Sequence, residues 1–229
     1  MIRLLLATIC FFFLANCNTQ NEFPVDLLTM GLNGKVKTMR QISNSKGAQP
    51  FRLEETYYFD EEGNLERIEH HTLPQANIET KSMGRETIFT SKGTDTKVAI
   101  TFGDTDSDTV RTQLIELLNA KKIRIIDKQH WNDDYESEII QSLDNSKRLV
   151  EVETTVFKGK PKEVLFEYTH RFVYDGDLVK EIIIENDNEE SKMSIENENL
   201  DDYGNFTYRV HRDENGAITY TEQRMFEYY

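Results

Sequence analysis

Leu200-Asp201-Asp202-Tyr203-Gly204-Asn205-Phe206-Thr207-Tyr208-Arg209-Val210-His211 holds a turn followed by a strand. An Asp at the head of a short loop can bond the backbone two residues on. A Gly near its end supplies the residue with φ > 0 that closes an antiparallel hairpin. Beyond the loop, Phe206, Tyr208 and Val210 alternate with Thr207, Arg209 and His211. A period of two with one apolar and one polar face is the signature of a half-buried strand. The expectation is that the Phe206, Tyr208 and Val210 face lies against a core and the other face meets water.

The same grammar recurs outward from this point. Asp60-Glu61-Glu62-Gly63-Asn64 and Asp213-Glu214-Asn215-Gly216 each separate two strand-like runs, and Tyr174-Asp175-Gly176-Asp177 and Lys158-Gly159-Lys160 are shorter versions. Gly63, Asn64, Gly176, Gly204, Asn205 and Gly216 are therefore read as structural turn residues, with Gly63 and Gly204 at positive φ. Strand-like runs occupy 35–42, 52–59, 65–72, 150–156, 164–174, 178–185 and 217–228. One stretch differs: Val110, Leu114, Leu117 and Leu118 follow helical spacing, Asp108 can cap the start, and Lys121 and Lys122 suit the negative end of a helix dipole. The spacing predicts one α-helix near 109–122. Segment 73–108 carries no clear period, and 187–199 reads as an acidic loop or a poor edge strand.

The turns form a degenerate repeat. Tyr58-Phe59-Asp60-Glu61-Glu62-Gly63-Asn64-Leu65 parallels Leu200 to Phe206, and Val173-Tyr174-Asp175-Gly176-Asp177-Leu178 is a shortened relative. The pattern resembles the YD repeat of RHS-type proteins and the Asp…Gly-Asn-aromatic hairpins of many Bacteroidetes lipoproteins of unknown function. The resemblance implies a wound antiparallel sheet of consecutive hairpins. The chain is too short for the closed cargo shell of YD-repeat proteins.

The N-terminus carries targeting chemistry. Arg3 precedes an apolar run from Leu4 to Ala15, too short to cross a bilayer core of about 30 Å as a helix and matching the apolar core of a secretory signal. The run ends Leu14-Ala15-Asn16-Cys17, which resembles the lipobox of bacterial lipoproteins, with Asn16 in place of the usual Gly, Ala or Ser. The resemblance implies removal of 1–16 and attachment of diacylglycerol and a further acyl chain such as palmitate to Cys17. Residues 17–30 are read as a lipidated tether and 31–229 as one antiparallel β domain with the helical insertion. No Asp follows Cys17 and no dense acidic run succeeds it, so the expected location is the cell envelope, at the outer membrane facing the periplasm.

Composition excludes several classes. The chain of 229 residues carries 27 basic and 41 acidic side chains, a net charge of -14. Such a surface repels phosphate backbones, which argues against nucleic acid as a partner. Of two cysteines, Cys10 leaves with the signal and Cys17 takes lipid, so the mature domain holds no disulfide, and its stability is expected from a core built with 13 Phe and 10 Tyr. Asp104-Thr105-Asp106-Ser107-Asp108 begins like a calcium loop but lacks the Gly and the bidentate Glu of an EF-hand. His70 and His71 point to opposite faces of a strand and cannot chelate one ion. His130, His170 and His211 complete no zinc pattern. There is no Gly-x-Ser-x-Gly, no free Cys in the mature chain and no phosphate-cradling glycine loop. Trp131 is read as a core or rim aromatic. No catalytic, cofactor or metal site is expected. The expected function is a non-enzymatic binding or structural lipoprotein with a protein or glycan partner. The alternative is a periplasmic carrier holding a small lipophilic ligand in a curved sheet.

Overall fold

A computed structural model describes residues 23–46, 50–72, 84–103, 108–130, 134–186 and 189–229. Cys17, Gly47, Asp104, Asp106 and Trp131 lie outside the described residues. A helical turn, α1 (Asp26–Thr29), precedes fourteen strands: β1 (Val36–Ser45), β2 (Arg52–Phe59), β3 (Leu65–Thr72), β4 (Gly84–Ser91), β5 (Thr96–Phe102), β6 (Thr109–Asn119), β7 (Lys122–Gln129), β8 (Tyr135–Leu143), β9 (Leu149–Lys158), β10 (Glu163–Asp175), β11 (Leu178–Asn186), β12 (Glu189–Leu200), β13 (Phe206–Arg212) and β14 (Ile218–Tyr228). Each strand pairs antiparallel with the next, and β14 returns to β1 with Met39 opposite Phe226 and Gln41 opposite Arg224. The sheet is thus a closed up-and-down barrel and not an open wound sheet. Closure removes both edges, so every strand satisfies its backbone on two sides.

The helix expected near 109–122 is strand β6. It pairs with β5 through Lys97 and Ile115 and with β7 through Leu117 and Ile123. Its leucines fall at helical intervals, but Thr109, Val110, Thr112 and Ile115 are β-branched and lose side-chain freedom in a helix. The two flanking strands decide the outcome: Leu117 is buried inside the barrel, whereas Leu118 is left exposed on the outside. The acidic stretch 187–199 likewise contains a full strand, β12, because a closed barrel offers it hydrogen-bonded neighbours on both sides.

The turns share one geometry. In the first, the Asp60 N–H donates to the Asn64 carbonyl (2.9 Å), the Gly63 N–H to the Asp60 carbonyl (3.0 Å) and the Asn64 N–H to Asp60 Oδ1 (2.7 Å). Asp201 to Asn205 and Asp213 to Ala217 repeat this pattern, with φ of 89° at Gly63, 85° at Gly204 and 79° at Gly216. A fourth copy, Asp144 to Arg148, is hidden in the sequence because Lys147 replaces the glycine at φ 66°.

One end of the barrel holds the turns after β2, β4, β6, β8, β10 and β12, together with the C-terminus and the start of the described residues at Phe23. Across it lies a plug made of residues 23–34. The sequence places most of these in a polar tether, but Leu27 and Leu32 are apolar and bury with Val36, Met39 and Phe59. Phe23 packs against the second apolar cluster, Leu117, Ile123 and Leu143. Polar contacts fix the plug: the Leu27 N–H donates to the Gly63 carbonyl (3.2 Å), and Asp26 Oδ2 accepts from the Leu65 N–H (2.7 Å) and Lys97 Nζ (2.9 Å). Asn205 clamps Asn33 from both sides, taking its N–H at Oδ1 (2.7 Å) and donating Nδ2 to its carbonyl (2.9 Å). The buried apolar clusters therefore sit at the plugged end, and the middle of the barrel is polar.

Candidate functional site

Register fixes which side chains point inward. Gln41, Ser43, Thr87, Thr101, Asp127, Thr154, His211 and Glu222 are all buried, and pairing places them on one face. On the strand that opened the sequence reading, Arg209 and His211 therefore face the interior, while Tyr208 and Val210 lie on the other side, where Val210 is nonetheless buried. This reverses the expected orientation. Phe206 alone of the expected apolar face turns in, at the first position of β13, beneath the plug. The alternation was read correctly, but an alternating pattern does not say which face is inside when the interior is itself polar.

The interior holds two compartments. The one nearer the unplugged mouth is a cavity of about 430 Å³ lined by Glu55, His70, Arg85, Thr87, Thr101, Arg111 and Gln129 among others. Several of its polar groups bond one another. His70 bonds Glu55 through Nδ1 (2.8 Å) and Thr87 through Nε2 (3.0 Å), and Thr87 continues to Thr101 (2.9 Å). Arg111 grips Asp127 with two parallel bonds of 2.7 and 2.6 Å. The Tyr57 hydroxyl donates to Glu55 (2.8 Å), and burial raises the Tyr57 hydroxyl far above its ordinary range. His70 is thus part of a closed network, and His71 points outward to the rim of a surface cavity. Among the described residues, no three His, Cys, Asp or Glu side chains come together as metal ligands.

The second compartment lies under the plug, a cavity of about 290 Å³ bounded by Met30 and Gly31, Gln141, Leu149, Phe172, Tyr174, Phe206, Arg209 and Arg224. Both guanidinium groups stack on the Phe206 ring, at 3.5 Å for Arg209 and 4.0 Å for Arg224. Burial pulls Arg209 down to about 10 and lowers Arg224 as well. Glu222 stands between them at 3.7 and 3.9 Å, too far for hydrogen bonds. Its Oε2 and the Nε2 of His211 are buried without a partner among the described residues. Burial lowers His211 below its ordinary 6.5, so its ring is neutral at pH 7. None of these residues was a site candidate in the sequence. Arg209 and His211 were visible only as the polar half of a strand, and Arg224 gave no signal at all.

The outer wall is charged around its circumference. Cross-strand pairs join Arg40 to Glu54 (2.6 Å), Arg67 to Glu86 (3.1 Å), Arg124 to Glu138 (2.6 Å) and Arg212 to Glu196 (3.2 Å). Arg171 pairs with Glu151 (3.1 Å) and also with Glu185. Arg40, Glu138 and Arg171 lie along the middle of their strands, where a membrane-spanning barrel carries an apolar band flanked by aromatic girdles. Among the described residues no helix is long and apolar enough to cross a membrane, a criterion that does not apply to strands.

Fold and interior together define a closed, fourteen-stranded, up-and-down antiparallel barrel with a plugged end and a polar lumen. No family model and no curated protein sequence matches the chain. Its structure is similar to the crystal structure of a porin-like protein from Bacteroides uniformis ATCC 8492, at 11% sequence identity and a TM-score of 0.53, over 85% of this chain and 99% of that one. At that identity the likeness establishes the barrel fold.

Proposed function

We propose that this chain is an envelope lipoprotein, held by lipid on Cys17, whose barrel stands in water beside the membrane and acts as a non-enzymatic binding module. The observation that carries the reading is the ion-paired outer wall. An Arg facing lipid near the bilayer midplane of a barrel costs about 2–4 kcal/mol, and a Glu less. Arg40 and Arg171 alone would cost about 4–8 kcal/mol before Glu54, Glu138 and Glu151 are added, comparable with the whole stability of a domain. The same pairs cost nothing in water.

The tether sets an orientation. Phe23, already packed at the plugged end, follows Cys17 by six positions. Six extended residues reach about 20 Å, so the plugged end faces the membrane and the mouth opens away from it. The mouth and outer wall are then the surfaces offered to a protein or glycan. Cavities of about 430 and 290 Å³ also favour a role in holding a small molecule. Their Arg, His, Glu and Gln linings suit a polar or charged ligand better than a purely lipophilic one.

The test is solubility. The chain exported behind an ordinary secretory signal, with Asn18 as its first mature residue, is expected in the soluble periplasmic fraction as a folded β protein without detergent. Recovery only with detergent, or channel conductance in planar bilayers, would overturn the reading.

A further inference from the structure

We propose that the chamber beneath the plug is a binding site for a small organic carboxylate. Its charged group would be held by Arg209 and Arg224, and its apolar body would rest on Phe172 and Tyr174. The inference rests on the binding-module reading above and names the ligand class.

The argument begins with unmet hydrogen-bond capacity. Both arginine side chains are nearly buried, at 13% and 11% exposure. Each donates its Nε to the protein, Arg209 to Asn197 Oδ1 (2.7 Å) and Arg224 to Gln41 Oε1 (2.8 Å), while a terminal nitrogen of each faces Glu222 at 3.7 and 3.9 Å. Among the described residues, the terminal nitrogens of both guanidinium groups make no hydrogen bond. Both forks line the same cavity and stand near Glu222 without a hydrogen bond to it, so their hydrogen-bond capacity is left open toward the cavity. The mouth-side network is the contrast within this protein, because there Arg111 has both arms of its fork taken by Asp127.

Charge and shape agree with an anion. Of the two carboxylates nearby, Glu222 lies behind the guanidinium groups and does not line the chamber, and Asp177 at its edge is 80% exposed and paired with Arg148 at 3.5 Å. With His211 neutral, the buried charges are two arginines against one glutamate inside a chain of net charge -14. Stacking on the Phe206 ring at 3.5 and 4.0 Å restricts both forks before any ligand arrives, which lowers the ordering cost of binding. Planar guanidinium groups match the two oxygens of a carboxylate. The volume of about 290 Å³ admits a molecule of single-ring size, and the facing wall of Phe172, Tyr174 and Leu149 is apolar. Met30 and Gly31 of the plug and Asp177 of the β10–β11 turn close the chamber at the plugged end.

The experiment is calorimetric titration of the full chain anchored in phosphatidylcholine vesicles. The probes are phenylacetate, the neutral analogue 2-phenylethanol and inorganic sulfate. Phenylacetate is expected to bind one per chain, more than about tenfold tighter than 2-phenylethanol. Arg209→Met and Arg224→Met are each expected to weaken it by more than about tenfold. The double variant Glu222→Gln, Arg224→Met leaves no unpaired carboxylate and serves as the check that a loss is not misfolding, read by circular dichroism. Equal binding of 2-phenylethanol would overturn the proposal in favour of an apolar carrier. Sulfate binding as tightly as phenylacetate would reduce the site to an ion pocket, and no heat with any probe would leave it a water-filled structural cluster. Either result also overturns the proposal. All three outcomes leave the barrel in water, whereas detergent dependence or conductance would instead strike the tethered-module reading itself.

Discussion

Replacing Gly63 with alanine probes how the plug is locked to the barrel. A Cβ at this position would stand 2.8 Å from both Val25 Cγ1 and Leu27 Cδ1, on a backbone at φ +89°. The left-handed backbone costs about 1–2 kcal/mol for a residue with a Cβ. The two contacts are closer than carbon atoms tolerate, and the neighbour that must move is Leu27, which is 7% exposed within the plug cluster. Losing most of its burial adds about 1.5–3 kcal/mol. Gly63→Ala should therefore lower stability by about 3–5 kcal/mol. Gly216→Ala is the matched control: its φ is +79° and nothing lies within 4 Å of the added Cβ, so only the strain remains. Gly204→Ala, at φ +85° with Asn33 Nδ2 at 3.9 Å, should behave like Gly216→Ala. The assay is urea unfolding followed by circular dichroism, with limited proteolysis of the N-terminal segment as a second readout. Equal losses at the three glycines, or an N-terminus no more cleavable in Gly63→Ala than in the controls, would refute the plug argument.

Stability should fall in two stages as pH drops. His211 and His170 are held below their ordinary 6.5 by burial, so the unfolded chain takes up protons first and stability declines below about pH 6.5. Glu54 is held low by its bond from Arg40. Asp201 is pushed up by burial, but bonds from Tyr228 and the Asn205 and Tyr203 amides outweigh this and hold it low, so a second loss follows through the carboxylate range. A His211→Gln, His170→Gln variant whose melting temperature still drops between pH 7 and 5.5 as in the parent would contradict the first stage. Cys17→Ser is expected to accumulate as unprocessed precursor without lipid label, and normal labelling would remove the anchoring chemistry. Lys147→Gly should raise stability by up to about 1 kcal/mol by relieving φ 66°, less the exposed bond from Lys147 Nζ to the Ala120 carbonyl. A clear loss in thermal melting would mean that bond outweighs the backbone term. The mature domain's melting temperature should not respond to reductant, and a drop on reduction would show that a disulfide had been missed.

The sequence by itself determined the local structure of this protein. Alternation marked β1, β2, β3, β9, β10, β11, β13 and β14 to within a few residues, because a period of two is a property of the backbone and needs no neighbour. Asp and Gly marked three of the four shared turns for the same reason, and the fourth was lost when Lys147 took the glycine's place. Everything that depended on partners was decided by the tertiary structure. Leu114, Leu117 and Leu118 became strand residues because β5 and β7 captured the backbone of β6. The sheet closed because β14 meets β1, a pairing across almost the whole chain that no local pattern encodes. Arg209, Arg224 and Glu222 gathered in one chamber for the same reason. Their side of the strand became the inside only once closure left the polar face inward and gave the ionic pairs of the outer wall to water.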